Sequence, residues 1–377
     1  VLLAPLDWGL GHATRCIPII KELDRQGARV WIAASGPQES LLRQEFPHLD
    51  FLSIPAYKIR YKRGMLLKWG LILQIPSLLR QIRKEQAWLE QTLKIHPIDL
   101  VISDNRYGLY HKSVISVLIT HQLNIQSGLW VEGKSSAIWK AISRRIDHKI
   151  LQFNRKFISR FTECWVPDQE GVASLGGSLS RMPVIPSTIP IRYIGWLSRF
   201  KPATATNIKN SLLILLSGPE PQRTELEQIF VRQLAGTTLN VVMVRGLPGE
   251  QIPALTIAGV EIFNHLDSTE LAARISTAEF IMARSGYSTI MDLVRLQKNA
   301  ILIPTPGQTE QEYLARYLHE KKWMYMVSQE KLNLENSLED FKKTKFLQPP
   351  VYASQLNTII EELLRKCIEW KSNSDSD

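Results

Sequence analysis

The chain opens on Val1-Leu2-Leu3-Ala4-Pro5-Leu6-Asp7-Trp8-Gly9-Leu10-Gly11-His12-Ala13-Thr14-Arg15. Residues 1–6 form an apolar run of strand length, and residues 12–26 read as a helix. Between them, Gly9 and Gly11 allow a tight turn and a close approach of backbone to ligand. A helix starting there aims its N-terminal amides at the turn's contents, which favours anions or developing negative charge. The same strand–turn–helix unit recurs. Strands are expected near 28–34, 51–54, 99–103 and 115–119, helices at 38–45, about 65–94 and about 134–160, and short later strands at 162–166 and 191–195. The pattern restarts with strand 212–216, helix 221–234, strand 239–244, helix 269–276, strand 279–283, helix 286–296, strand 300–303 and helix 309–321. Such alternation implies parallel sheets covered by helices, hence an α/β chain of two doubly wound, Rossmann-like domains. The expected division is 1–197, 198–350, a terminal helix within 351–370 and a disordered tail at 371–377, with Ser198–Ser211 as the polar linker.

Composition narrows the classes. The 377 residues are 44% hydrophobic and 22% charged, which excludes a fibrous or wholly disordered chain. The cysteines Cys16, Cys164 and Cys367 are far apart and form no C-x-x-C pair. That argues against a disulfide framework or structural zinc and favours a reducing, cytoplasmic compartment. No secretory signal is visible, and the longest apolar stretch, Met65 to Leu79, is broken by Lys68, Gln74, Pro76 and Ser77. A span needs about 20 nearly unbroken apolar residues, so none is expected.

The net charge of +10 is carried by two segments. Residues 58–94 hold nine Lys and Arg against Glu85 and Glu90, and residues 134–160 hold eight against Asp147. Both mix these charges with large apolar residues such as Met65, Trp69, Trp139 and Ile142. A basic amphipathic surface suits the anionic inner face of a membrane; two ordinary helices with solvated faces explain it about as well. No zinc finger, RNA-binding aromatic signature or basic zipper supports nucleic acid as a partner.

Four motifs can carry chemistry. In the first, a dinucleotide fingerprint fails because its third glycine would fall on Thr14 and the second strand ends in Ala34-Ser35-Gly36 without an acid. His12, at the end of a strand facing the ligand crevice, is then a general-base candidate, with a structural cap as the alternative. Asp104, in Ser103-Asp104-Asn105-Arg106, ends another first-half strand and can orient His12 or act as base itself, or simply cap its loop. The second motif is Arg284-Ser285-Gly286-Tyr287-Ser288-Thr289-Ile290-Met291-Asp292. The amides of residues 286–289 and the Ser288 and Thr289 hydroxyls can hold a diphosphate, and Asp292, one turn on, can accept both hydroxyls of a ribose; a plain N-cap explains the glycine and threonine equally well. The third, Pro304-Thr305-Pro306-Gly307-Gln308-Thr309-Glu310-Gln311-Glu312, offers Glu310 and Gln311 to sugar hydroxyls after a rigid turn, or is a solvated helix start. The fourth, Ser217-Gly218-Pro219-Glu220-Pro221-Gln222-Arg223, offers Arg223 to phosphate unless it is a surface arginine.

Together these motifs resemble those of GT-B-fold nucleotide-sugar glycosyltransferases of family 28, typified by the peptidoglycan-precursor N-acetylglucosaminyltransferases. The likeness runs from Gly9-Leu10-Gly11-His12 to Gln311 and is most specific in Arg284-x-Gly286-x-x-Thr289-x-x-Asp292, Ile303-Pro304 and Glu310-Gln311. It implies two Rossmann-like domains facing across a cleft, the first taking the acceptor and the second a UDP-sugar. It implies that Gly286 and Thr289 lie by the diphosphate, that Asp292 (usually Glu) binds the ribose, and that Gln311 contacts the sugar. The acceptor-side His-Glu-x-Asn of that family resembles His121-Gln122-Leu123-Asn124, with Gln122 replacing the acid, and Ala315 stands where the family has an Asn. Gly11, Ser217 and Gly218 complete the expected donor side, Arg15 and Asn105 the acceptor side. The expected reaction is an inverting transfer, with UDP-sugar as co-substrate and no metal or other cofactor, because the one Asp-x-Asp, Asp375-Ser376-Asp377, lies in the tail. The acceptor is expected to be a saccharide or lipid-linked acceptor met at the inner face of the cell membrane. A nucleotide-sugar hydrolase or epimerase on the same scaffold, or a non-catalytic nucleotide-sugar-binding protein, are the other readings.

Overall fold

The computed structural model describes residues 1–56, 66–125, 137–181, 189–201, 205–248, 255–350, 352 and 354–374. The first half builds β1 (Leu2–Pro5), α1 (Leu10–Arg25), β2 (Trp31–Ala34), α2 (Pro37–Glu45), β3 (Asp50–Ser53), α3 (Leu66–Ile95), β4 (Leu100–Asp104), β5 (Ile115–Ile119), α4 (Ala137–Ile158), β6 (Glu163–Val166) and β7 (Ile191–Tyr193). The second builds β8 (Ile208–Leu215), α5 (Gln222–Gln233), β9 (Asn240–Val244), β10 (Val260–Phe263), α6 (Ser268–Thr277), β11 (Ala278–Ala283), α7 (Tyr287–Arg295), β12 (Ile301–Leu302), α8 (Thr309–Glu320), β13 (Tyr325–Met326) and α9 (Leu334–Lys343). Helix α10 (Leu356–Ser374) closes the chain.

The first sheet has seven strands in the order β3-β2-β1-β4-β5-β6-β7, the second six in the order β10-β9-β8-β11-β12-β13. Every strand pair in both is parallel. Sheets buried on both faces need continuous apolar strands rather than alternating ones. Leu2, Leu3 and Ala4 of β1, and Phe280, Ile281, Met282 and Ala283 of β11, meet that need and are buried. Each sheet reverses its winding beside its first strand: between β1 and β4, and between β8 and β11. Connections leave such a point in opposite directions, which opens a crevice at the carboxyl ends of the strands. Pro5 of β1 stands opposite Asp104 of β4, and Leu215 of β8 opposite Ala283 of β11, so the loops that follow are the ones that flank the two crevices.

The halves share a core. Helix α1 packs on α7, and Leu3, Ile17 and Ile20 belong to the same buried cluster as Ile290, Met291 and Leu302. Helix α10 returns to the first half: Gln26 donates to Asn357 O, Arg192 pairs with Glu362 at 2.6 Å, and Ile360 and Leu363 are buried in the shared cluster.

Three features differ from expectation. The polar linker ends earlier than Ser211, because β8 begins at Ile208 and extends the strand through Lys209 and Asn210 to pair with β11 at Ala278. The tail is not wholly disordered: α10 continues through Lys371 to Ser374, helped by a 3.0 Å ion pair between Lys371 and Asp99. Strands β10 and β13 and helix α9 lie where no element was expected. Lys58, Arg60, Lys62, Arg63, Met65, Lys134 and Pro202, with Asp375-Ser376-Asp377, lie outside the described residues. No helix among the described residues is long and apolar enough to cross a membrane.

Candidate active site

The first crevice holds a buried charge network built on α1 and the end of β4. His12 and Arg15 are three residues apart and so share one face of α1. That face looks onto Asp104, which is fully buried. His12 Nδ1 lies 2.9 Å from Asp104 Oδ2, and Arg15 Nε donates to Oδ1 and Oδ2 at 3.0 Å each, with Arg15 Nη2 also on Oδ1. Burial alone would raise the Asp104 pKa, but Arg15 and His12 outweigh it and hold the carboxyl at about 2. Arg15 Nη2, a donor only, also lies 3.0 Å from His12 Nδ1, whereas the ionised Asp104 carboxylate only accepts; in the tautomer that Asp104 favours, Nδ1 carries the proton and the Nε2 lone pair is left for chemistry. Burial, then the Arg15 charge, pushes the His12 pKa below its ordinary 6.5 despite Asp104. His12 is therefore neutral at neutral pH, the state a general base requires.

The network crosses to the second half. Arg15 Nη1 donates to His121 Nδ1 at 3.1 Å, and His121 Nε2 donates to Glu310 Oε1 at 2.7 Å. Gln122 Nε2 also donates to Glu310. The His121 ring stacks on Tyr287 with centroids 4.1 Å apart and planes 1° apart. Burial works to raise the Glu310 pKa, but His121 outweighs it and holds the carboxyl below its ordinary value. Asn105 adopts a left-handed φ of 57°, and its Oδ1 is buried with no partner among the described residues. Asn124 stands further along the seam, its N–H bonded to Leu179 O at 3.0 Å.

The second crevice is built differently. Gly286 begins α7 with no side chain capping the helix, so its first amides keep their donor capacity. Ser288 Oγ donates to Gly11 O at 2.7 Å, and a Cβ on Gly11 would come within 3.1 Å of that hydroxyl. The two glycine loops therefore touch. Helix α1 also begins without a side-chain cap, so two positive helix ends converge here. Across β8, Gly218 at φ 99° has Thr305 Oγ1 as the nearest group a Cβ would meet, at 4.0 Å; that hydroxyl is buried and without a partner among the described residues. Ser217 precedes this glycine at the same strand end.

Several expected donor residues are engaged elsewhere. Arg223 bonds Glu220 and Glu227 at 2.6 and 2.7 Å, and Arg245 grips Glu227 as well. Arg284 is buried and donates to the carbonyls of Gln222, Ile303 and Pro304 and to Gln329 Oε1; burial lowers its pKa to about 10. Asp292 accepts from Ser198 Oγ at 2.6 Å and lies 3.7 Å from Arg199, while burial raises its pKa to about 6. Ser285 donates to Gln311 O, and Gln311 Oε1 accepts from Thr305 N at 2.9 Å. Thr289 stands near Gly286, 3.8 Å from where its Cβ would lie. Sequence reasoning missed Tyr287, Thr305 and Ser198. Their positions inside or beside the quoted motifs were the available signal, but their partners come from distant segments.

Comparison with known proteins fits this arrangement. Residues 232–359 match the model of the glycosyltransferase family 28 C-terminal domain. A protein described as an uncharacterized glycosyltransferase of Methanosarcina acetivorans is 23% identical over 340 residues, spanning 85% of this chain and 83% of that one. Among solved structures, the glycosyltransferase SnogD of Streptomyces nogalater superposes with a TM-score of 0.57 at 13% identity, over 97% of this chain and 98% of its own. MurG of Acinetobacter baumannii gives 0.51 at 14% identity over 97% and 98%. The spinosyn rhamnosyltransferase SpnG, complexed with thymidine diphosphate, gives 0.59 at 14% identity over 91% and 90%. With a family 28 C-terminal domain in its second half and the GT-B fold throughout, the chain is a glycosyltransferase.

Proposed function

We propose that the protein transfers a sugar from a UDP-type donor to an acceptor hydroxyl, with inversion and without a metal ion. His12 Nε2 takes the acceptor's proton, the freed oxygen bonds to the anomeric carbon, and the bond from that carbon to the diphosphate oxygen breaks. The proton rests on His12, where Asp104 stabilises the imidazolium, and the leaving charge falls on the diphosphate. The single observation that carries this reading is the His12–Asp104 pair set against the uncapped start of α7, joined through the Ser288–Gly11 bond. Two converging positive helix ends suit a diphosphate. Preorganised donors of this kind typically contribute a few kcal/mol each to the transition state.

The Asp292 position, now held by Ser198, can serve the ribose only if the linker shifts, so donor binding is coupled to movement at residue 198. The complex of SpnG with thymidine diphosphate keeps uracil and thymine both in view as the base. Exposed Arg80, Arg83 and Lys84 on α3 and Arg144, Arg145 and Lys149 on α4 favour an acceptor met at an anionic surface.

The test is a panel of nucleotides and nucleotide sugars read by thermal shift, followed by product analysis with soluble and lipid-linked saccharide acceptors. Stabilisation by UDP compounds and an acceptor-dependent product of inverted configuration are expected. Stoichiometric nucleotide release without acceptor would make the protein a hydrolase, a new sugar isomer would make it an epimerase, and binding without turnover a sensor.

A further inference from the structure

A cavity of about 390 Å3 lies on the seam between the halves, beside the catalytic network rather than within it. Its second-half wall is one face of α8 and its C-cap: Tyr313 and Tyr317 on the helix and Lys321 just past its end follow each other at four-residue spacing. Glu310, which meets His121, stands one turn before Tyr313, about 4.5 Å along the helix axis. The cavity therefore begins close to where the acceptor-side network ends. Its first-half wall is Asn124 and the segment from Gly177 to Arg181.

That wall is held rigidly. Asp168 accepts from the N–H groups of Gln169, Leu175 and Gly176, from Ser174 Oγ and from Trp196 Nε1, at 2.6–3.2 Å. The turn so fixed brings Gly177 against the tyrosines: a Cβ there would lie 2.5 Å from Tyr313 Oη and 2.9 Å from the Tyr317 ring. Tyr313 Oη accepts from Ser178 N at 2.8 Å, and the two tyrosine rings are parallel within 6°. The lining has two cations, Arg181 and Lys321, and no carboxylate. Among the described residues Arg181 bonds only the Gly171 carbonyl, and the Lys321 amine sits over the Tyr317 and Trp323 rings, 5.8 Å from each centroid. The Asn124 amide lines the same space with no side-chain partner among the described residues.

We propose that this seam cavity is a binding site for an anionic saccharide, a phosphorylated or carboxylated sugar unit. The tyrosine wall packs against the ring, Asn124 and Ser178 meet hydroxyls, and Arg181 and Lys321 take the anion. Aromatic walls with a few placed polar groups at an interface between halves are what small-ligand sites consist of, and arginine suits phosphate or carboxylate. Its role as an extension of the acceptor site rests on the transfer reading above. Binding of the anionic sugar does not.

The test is calorimetric titration of the full chain with glucose 1-phosphate, glucuronate, glucose and inorganic phosphate. The two anionic sugars should bind more tightly than glucose or phosphate alone, and Arg181→Gln with Lys321→Gln should weaken them by about tenfold or more. Both side chains are exposed, so the variant should fold as the wild type does. His12→Ala should bind the sugars unchanged, which separates failure of this site from failure of the transfer reading. Equal binding by the double variant, binding of glucose or phosphate as tight as that of the anionic sugars, or no binding at millimolar concentration would overturn the proposal.

Discussion

The two crevices solve opposite problems with the same strand order. The charged groups of the first are paired before any ligand arrives: Asp104 is held by Arg15 and His12, and His121 has partners on both nitrogens, while the buried Asn105 amide oxygen has none among the described residues. The second is left wanting, with bare helix amides at Gly286 and a buried Thr305 hydroxyl without a partner among the described residues. A group that must hold one protonation state needs fixed neighbours, whereas a surface that must grip a departing anion needs donors not already used. The chain has spent its charges on the former and its backbone on the latter.

The sharpest way to break this contrast is at Asp104. Asp104→Asn removes the negative charge beside His12 and replaces one acceptor oxygen with an NH2 donor, and kcat/KM should fall by about 10²–10⁴ while nucleotide affinity, read by titration, stays level. A parallel loss of nucleotide affinity would erase the distinction between the crevices. A milder probe is pH. Because His12 is shifted below its ordinary 6.5, the acid limb of kcat/KM should lie below pH 6.5, with activity lost as pH falls through the His12 pKa. A limb above pH 7 would mean that Asp104, not Arg15 and burial, dominates. The smallest effect is expected at Thr305. Thr305→Val keeps the shape and removes one donor, so the dissociation constant for the nucleotide should rise by roughly three- to thirtyfold, with kcat for saturating donor much less affected.

What could be read from the sequence follows from how local the cause is. Strands such as Leu212–Leu215 and Phe280–Ala283 are apolar throughout because both sheet faces are covered, and that leaves a plain trace. Edge strands leave little: β13 is two residues, and β10 is a half-exposed border where Glu261 interrupts the pattern. The continuation of α10 past Lys371 depends on Asp99, which no local pattern contains. The site divides in the same way. Asp104 was visible because it ends a strand at the crevice, and His12 because it stands in the first turn of the helix that follows such a strand end. The ties of Asp292 to Ser198 and of Arg223 to Glu220 and Glu227 were not, because a side chain's competing partner is a property of the assembled fold.

The polypeptide passes between the halves twice, once before β8 and again before α10, whose buried face is anchored on the first half. A door hung on a single pin can sag and twist; one hung on two swings about the line through them. On the proposed transfer reading, two crossings would confine any opening between the halves to rotation about the line through them, and each closure would bring the His12 imidazole back to one place.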